Sequence, residues 1–194
     1  PIWLWKAVHD HVSAGASPAV GREVATASLD GVQRALRRSA HQTLAKVADD
    51  IGRRRTFNTA VAAVMELLNA VGRFEDRSPA GRAVVQEALE IAVVALSPIT
   101  PHICHALWQA LGHEGAIVDL RWPAPDPSAL VQDAITLVVQ VNGKLRGQIS
   151  VPPDADEAAV RSAALADETV RRFVGEAVPK KVIVVPRKLV NVVV

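Results

Sequence analysis

Apolar residues recur every three or four positions through the first 111 residues, and from Ile135 onward the spacing changes to alternation within β-branched runs. The first regime predicts helices. Leu4, Val8 and Val12 give a first amphipathic helix, whose abrupt opening at Pro1-Ile2-Trp3 suggests a chain cut from a longer one, and Gly15 to Gly21 with Ser17 and Pro18 reads as a loop. A long helix is predicted from an N-cap at Ser28 to about Ile51, with Leu29, Val32, Leu36, Leu44, Val47 and Ile51 inward and Arg34, Arg37, Arg38, His41 and Lys46 on the polar side. Gly52 and the run Arg53-Arg54-Arg55 interrupt it. Phe57, Val61, Val64, Leu67, Leu68 and Val71 then form a second long stripe, closed by Gly72 and the charged stretch to Ser78. Pro79 suits a first helical turn before the largely buried series Val84 to Leu96, and Pro101 opens a shorter helix that Gly112 stops. The prediction is a bundle of about five helices over residues 1–116.

Residues 117–132, with Trp122-Pro123, Pro125 and Pro127, are too proline-rich for regular structure and read as a linker. The tail, 133–194, reads hairpin, helix, hairpin. Asp154 or Asp156 caps a helix carrying Val160, Ala163 and Ala164, Asp167 restarts it, and Val170, Phe173 and Val174 complete an apolar stripe. Lys181 to Pro186 and Leu189 to Val194 are strands about a turn at Pro186-Arg187-Lys188. A four-stranded sheet with helical cover on its apolar face buries both sets, so the fold class is an α-helical bundle followed by a small α/β domain.

The strongest local signal is I-T-L-V-V-Q-V-N-G-K-L-R-G-Q-I-S-V, residues 135–151, where Asn142-Gly143 tolerates the positive φ of a tight hairpin. Its register carries chemical meaning. With a plain two-residue loop, Val141, Val139 and Leu137 face Lys144, Arg146 and Gln148. If Lys144 joins the loop, or a bulge near Gly147 adds a residue, they face Leu145, Gly147 and Ile149, and one surface becomes wholly apolar. The second arrangement is preferred. Arg146 and Gln148 then share a polar face, with Lys144 at or beside the tip.

Composition sharpens this picture only in part. The 49% hydrophobic content supports a core, and no apolar run reaches the roughly 18 residues of a bilayer span, so a cytoplasmic protein with no membrane partner is expected. The single cysteine, Cys104, excludes a disulfide framework and a cysteine-only metal site. A net charge of +2 is too small to announce a nucleic-acid partner, but the excess lies in the tail, with nine basic and seven acidic residues from Asp133 onward. There the pairs Lys144 with Arg146, Lys180 with Lys181, and Arg187 with Lys188 stand beside strands. Such pairs also occur simply as solvated strand ends that block edge-to-edge association.

Catalytic motifs are missing. Gly143-Lys144-Leu145 has neither the spacing nor the hydroxyl of a phosphate loop, and no Gly-x-Ser-x-Gly appears. His102, Cys104 and His105 fall one ligand or more short of a structural zinc site. His9 and His11 point about 200° apart on a helix and are expected to face solvent. Trp108 is expected in the core, and Phe57 likewise. Arg53, Arg54 and Arg55 at a helix junction are the bundle's best phosphate-binding candidates, although arginine runs are often solvated helix ends.

Two sets of residues carry a family resemblance. V-Q-V-N-G-K-L-R-G-Q-I-S-V-P together with the final K-K-V-I-V-V-P-R-K-L-V-N-V-V-V resembles the C-terminal domain of bacterial-type leucyl-tRNA synthetases. R-R-R-T-F-N-T-A-V and S-P-I-T-P-H-I-C-H-A-L-W resemble the helical anticodon-binding domain shared by the class I synthetases for Leu, Ile, Val and Met. The resemblance implies a monomer whose partners are tRNA-Leu and the remainder of a synthetase chain. The family's H-I-G-H and K-M-S-K-S signatures are absent, so ATP, Mg²⁺ and leucine would be handled outside this chain, which is expected to hold no cofactor, metal or catalytic residue. Expected RNA-binding residues are Lys144, Arg146, Lys180, Lys181, Arg187, Lys188, Arg53, Arg54 and Arg55, with Asn142 shaping the turn. The matching region of an isoleucyl, valyl or methionyl enzyme would need a zinc terminus or a heptad coiled coil, and a protein-interaction module is the rival of another class.

Overall fold

The computed structural model describes residues 2–15, 28–131, 135–174, 179–185 and 188–193. Two compact units divide the chain, Pro1–Val131 and Gln132–Val194. The expected loop over 16–21 falls outside the described residues.

The first unit is built on five helices, α1 (Ile2–Ser13), α2 (Gly31–Asp49), α3 (Phe57–Arg73), α4 (Pro79–Leu96) and α5 (Pro101–Ala110). Apart from Val32, which is 66% exposed, the predicted stripes meet in one core, in which Leu4, Leu36, Leu44, Val64, Leu67, Leu89 and Leu107 are at most 5% exposed. α4 lies at its centre and buries residues around most of its circumference. Its start follows the sequence expectation, with Pro79 in the first turn and the Ser78 hydroxyl accepting from the Gly81 N–H.

Three local expectations are corrected. The cap of α2 is Asp30 rather than Ser28, because Asp30 and Gln33 satisfy each other's backbone N–H groups reciprocally at 2.8 and 2.9 Å. Phe57, at the first position of α3, is 48% exposed, since the core-facing stripe begins one turn later at Ala60. His11 is buried rather than solvent-facing. Its Nε2 lies 2.8 Å from Gln86 Oε1, and Gln86 Nε2 donates onward to the Leu111 carbonyl, joining α1, α4 and the end of α5. Burial holds the His11 pKa below its ordinary value.

The proline-rich stretch belongs to the helical unit up to Val131. Ile117 and Ala129 are buried, and the short helix α6 (Pro127–Leu130) rests against α2. A polar cluster fastens it. The Arg37 side chain, 7% exposed, donates to both Glu87 oxygens at 2.9 and 3.1 Å and to Asp126 Oδ2 at 2.6 Å. His41 Nδ1 accepts from the Asp126 N–H, so its Nε2 carries the proton that meets Glu87 Oε1 at 3.0 Å. Arg38 donates to the Val131 carbonyl. Prolines deny this stretch a long helix, and side chains of α2 supply the bonds its backbone lacks.

The second unit is a four-stranded sheet in the order β2-β1-β4-β3, formed by β1 (Ile135–Val141), β2 (Lys144–Val151), β3 (Lys181–Val185) and β4 (Leu189–Val193). β1 pairs antiparallel with β2 and parallel with β4, and β3 closes antiparallel on β4. Helices α7 (Glu157–Ala166) and α8 (Glu168–Val174) cover one face, packing Val160, Ala164 and Val170 on Leu137, Val139, Val141, Ile149, Val190 and Val192. Asp156, not Asp154, caps α7, and Asp167 accepts from the Val170 N–H at the start of α8.

The Arg37 cluster sets an acid limit. The Arg37 guanidinium holds the Asp126 carboxyl down at about 2. Burial would raise Glu87, but the bonds from His41 and Arg37 outweigh it and leave its carboxyl below the usual range. A carboxyl depressed by folding stabilises above its unfolded pKa and loses that contribution as pH falls through the folded one. Stability of the helical unit, followed by circular dichroism in denaturant, should therefore decline between about pH 4 and 2. Arg37→Gln should cost roughly 3 kcal/mol at neutral pH and flatten that decline, because it removes the only guanidinium that faces Glu87 and Asp126 among the described residues and leaves the half-buried Glu87 with His41 alone. An unchanged acid profile in the variant contradicts the assignment.

Candidate nucleic-acid interface

The hairpin combines features of both predicted registers. Asn142 and Gly143 form the loop alone, with φ of 50° and 77°, the two successive left-handed residues of a type I′ turn. A bulge follows at once. Val141 faces Lys144 and Gln140 faces Leu145, whereas Val139 faces Gly147 and Leu137 faces Ile149, so Arg146 is the extra residue. The inward set Leu137, Val139 and Ile149 is preserved as expected. Leu145 differs, standing 60% exposed on the bulge instead of opposite Val141.

The bulge also redirects Arg146. Its guanidinium carbon lies 4.1 Å from the ring centroid of Phe173, on helix α8, and it lines one open hollow together with Gln148. Phe173 in turn is 48% exposed rather than enclosed in the predicted stripe. No sequence signal pairs these residues, which lie 27 positions apart on a strand and a helix.

The topology sorts the tail's lysines into two places. Because β1 and β4 are parallel, the hairpin tip lies beside the end of β4, where Asn142 N–H donates to the Val192 carbonyl and Gly143 N–H to Asn191 Oδ1. β3 starts at this same end, with Lys181 opposite Val193 and the Lys180 N–H bonded to the Val193 carbonyl. Lys144, Lys180 and Lys181 therefore share one end of the sheet, spread over three strand spacings or about 14 Å. Lys188, at the start of β4, lies at the opposite end. Arg187 is outside the described residues.

The lysines of the two units differ in company. Lys6 and Lys46, the two in the helical unit, are bound to Asp10 and Asp50 at 2.6 and 2.5 Å. Lys144, Lys180, Lys181 and Lys188 are exposed and have no carboxylate partner among the described residues. The arginine run is mostly engaged. A π-helical turn, Asp50–Arg54, ends α2, and within it Arg53 grips Asp49 at 2.5 and 2.8 Å while Arg54 reaches the buried Asp50 at 3.2 Å. Lys46 foremost holds the Asp50 carboxyl below its ordinary value. Arg55, exposed and with φ of 55°, has no side-chain partner among the described residues.

Cys104 is fully buried with its thiol 3.5 Å from Thr100 Oγ1, and burial pushes that thiol up. No group of three or more His, Cys, Asp or Glu side chains converges among the described residues. Trp108 is buried as expected and stacks on His113 at 3.5 Å. No helix among the described residues is long and apolar enough to cross a membrane.

A helical bundle with an arginine-bearing turn after its second helix, followed by a lysine-edged sheet, belongs to a known class. Residues 33–161 match the family described as the anticodon-binding domain of tRNA ligase, and the chain is a member of that family. Within it the likeness is to leucine-tRNA ligases. Over 98% of its length the chain is 62% identical to the leucine-tRNA ligase of Thioalkalivibrio sulfidiphilus and 55% identical to that of Chromohalobacter salexigens. It spans 23% and 22% of those proteins. Among solved structures, a ternary LeuRS–tRNA–LeuAMS complex from Agrobacterium radiobacter matches 98% of the chain at a TM-score of 0.75 and 26% identity, using 24% of its own chain.

The turn itself is testable. Gly143→Ala places a Cβ at a φ of 77° and should destabilise the sheet unit by about 1–2 kcal/mol in chemical denaturation. No change would contradict the type I′ geometry.

Proposed function

We propose that the chain is a tRNA-binding part of a leucyl-tRNA synthetase. It positions tRNA-Leu for ATP-dependent leucylation by a catalytic domain outside it, working as a monomer in the cytoplasm. ATP and Mg²⁺ belong to that other part. The observation that carries this reading is the contrast among lysines, paired with acids in the helical unit and without carboxylate partners among the described residues at the sheet end, in a chain homologous to leucine-tRNA ligases.

The physics is that of a polyanion meeting fixed cations. Each lysine that neutralises a phosphate releases condensed counterions, so such contacts give affinity and orientation without reading sequence. Lys144, Lys180 and Lys181 spread that charge across one sheet end, on a scale suited to the outer elbow of tRNA, where the D and T loops meet. Arg55 offers a further guanidinium from the bundle, while Arg53 and Arg54 are already balanced by Asp49 and Asp50.

Gel shifts of the chain with tRNA-Leu and an unrelated tRNA at several salt concentrations test the proposal. Preference for tRNA-Leu is expected. Changing Lys144, Lys180 and Lys181 together to Gln should weaken binding and lower the salt slope by about 2–3, at roughly 0.7–0.9 per phosphate contact. An unaltered slope would remove this end of the sheet from the interface.

A further inference from the structure

We propose that Arg146 and Phe173 form a stacking platform for an exposed nucleobase of the bound RNA, with Leu145 as its apolar rim. The inference rests on the tRNA-binding reading and gives Arg146 a role distinct from that of the lysines.

The platform follows from close packing behind it. Gly147 faces Val139 on the covered side of the sheet, and a Cβ there would lie 3.2 Å from both Asp167 Oδ1 and Val170 Cγ2. Glycine thus lets α8 approach β2 closely. Phe173 stands three residues beyond Val170 on the same helical face, which carries it past the inner contact toward the strand's edge. The bulge supplies the other half, since the extra residue in β2 is Arg146, and its guanidinium comes to rest over the Phe173 ring.

This arrangement suits a base better than a phosphate. Arg146 has no carboxylate partner among the described residues, so its planar group is oriented by stacking alone. Guanidinium is weakly hydrated and stacks on flat π systems, whereas an ammonium does not. Leu145, Arg146, Gly147, Gln148 and Phe173 frame a shallow hollow of about 490 Å³ along β2, which is an edge strand. Apolar, aromatic and guanidinium surface beside an amide that can hydrogen-bond is the chemistry by which unpaired or splayed bases are held. Lys144, two positions away at the cationic end, brings a phosphate backbone close enough for its bases to reach the hollow.

Binding of the chain to a tRNA-Leu transcript, measured against salt concentration, separates stacking from charge. Arg146→Lys keeps the charge, so a phosphate contact would survive it. Stacking predicts instead that Arg146→Lys and Arg146→Ala both lose about tenfold in affinity. Arg146→Lys should leave the salt slope unchanged, whereas Lys144→Gln lowers it by about 0.7–0.9. Phe173→Leu, which retains an apolar side chain on α8, should weaken binding several-fold with an unchanged slope. Thermal melts of each variant matching the parent chain exclude misfolding as the cause. Arg146→Lys binding like the parent, or Phe173→Leu without effect in a folded protein, would overturn the platform while leaving the tRNA reading in place. Failure of the parent chain to bind tRNA-Leu at low salt would overturn the reading beneath it.

Discussion

The second unit depends on one extra residue in β2. Side chains alternate along a strand, so a two-residue loop at Asn142-Gly143 continued without interruption would turn Arg146 and Gln148 toward the helices and Leu145 and Ile149 toward water. Burying Arg146 unpaired against Val160 and Val170 would cost several kcal/mol, more than a small sheet domain can lose. The bulge resolves the conflict. It restores Val139 opposite Gly147 and Leu137 opposite Ile149, and it leaves the displaced residues, Leu145 and Arg146, at the strand's edge. A device required for burial therefore also determines what the surface displays.

The same economy separates the two units electrically. In the helical unit, several basic side chains are matched within a turn of helix or across the Arg37 cluster: Lys6 with Asp10, Lys46 and Arg54 with Asp50, Arg53 with Asp49. Exposed pairs of this kind contribute little to stability, and their consequence is to cancel local potential. The sheet unit has fewer such matches, with Arg161 and Glu157 paired on α7, and its lysines remain as a field at strand ends. Net charge is nearly silent about this because it averages over the two.

Much of the fold was legible because its signals are local. Helical periodicity, Pro79 and Pro101 at helix starts, Asn142-Gly143 at the turn and the sheet with helical cover all follow from spacing within a few residues. What escaped the sequence depends on distant partners. His11 reads as a surface residue until Gln86, 75 positions away, is placed beside it. Residues 117–131 read as a linker until Arg37, Arg38 and His41 are seen to hold them. In the candidate interface, the basic residues were visible as a list, but not their grouping. Parallel pairing of β1 with β4 joins Lys144 to Lys180 and Lys181 and parts them from Lys188, and strand order cannot be read from alternation. Arg146 was identified as cationic, while its placement on Phe173 required the bulge and the tight Gly147 contact together.

The central claim is that the end of the sheet bearing Lys144, Lys180 and Lys181 lies against folded tRNA. Amine-reactive footprinting of the chain, read lysine by lysine with mass spectrometry and with or without saturating tRNA-Leu, addresses it directly. Loss of reactivity at Lys144, Lys180 and Lys181, with Lys6 unchanged, is the expected result. Full reactivity of those three lysines in the presence of bound tRNA would contradict it.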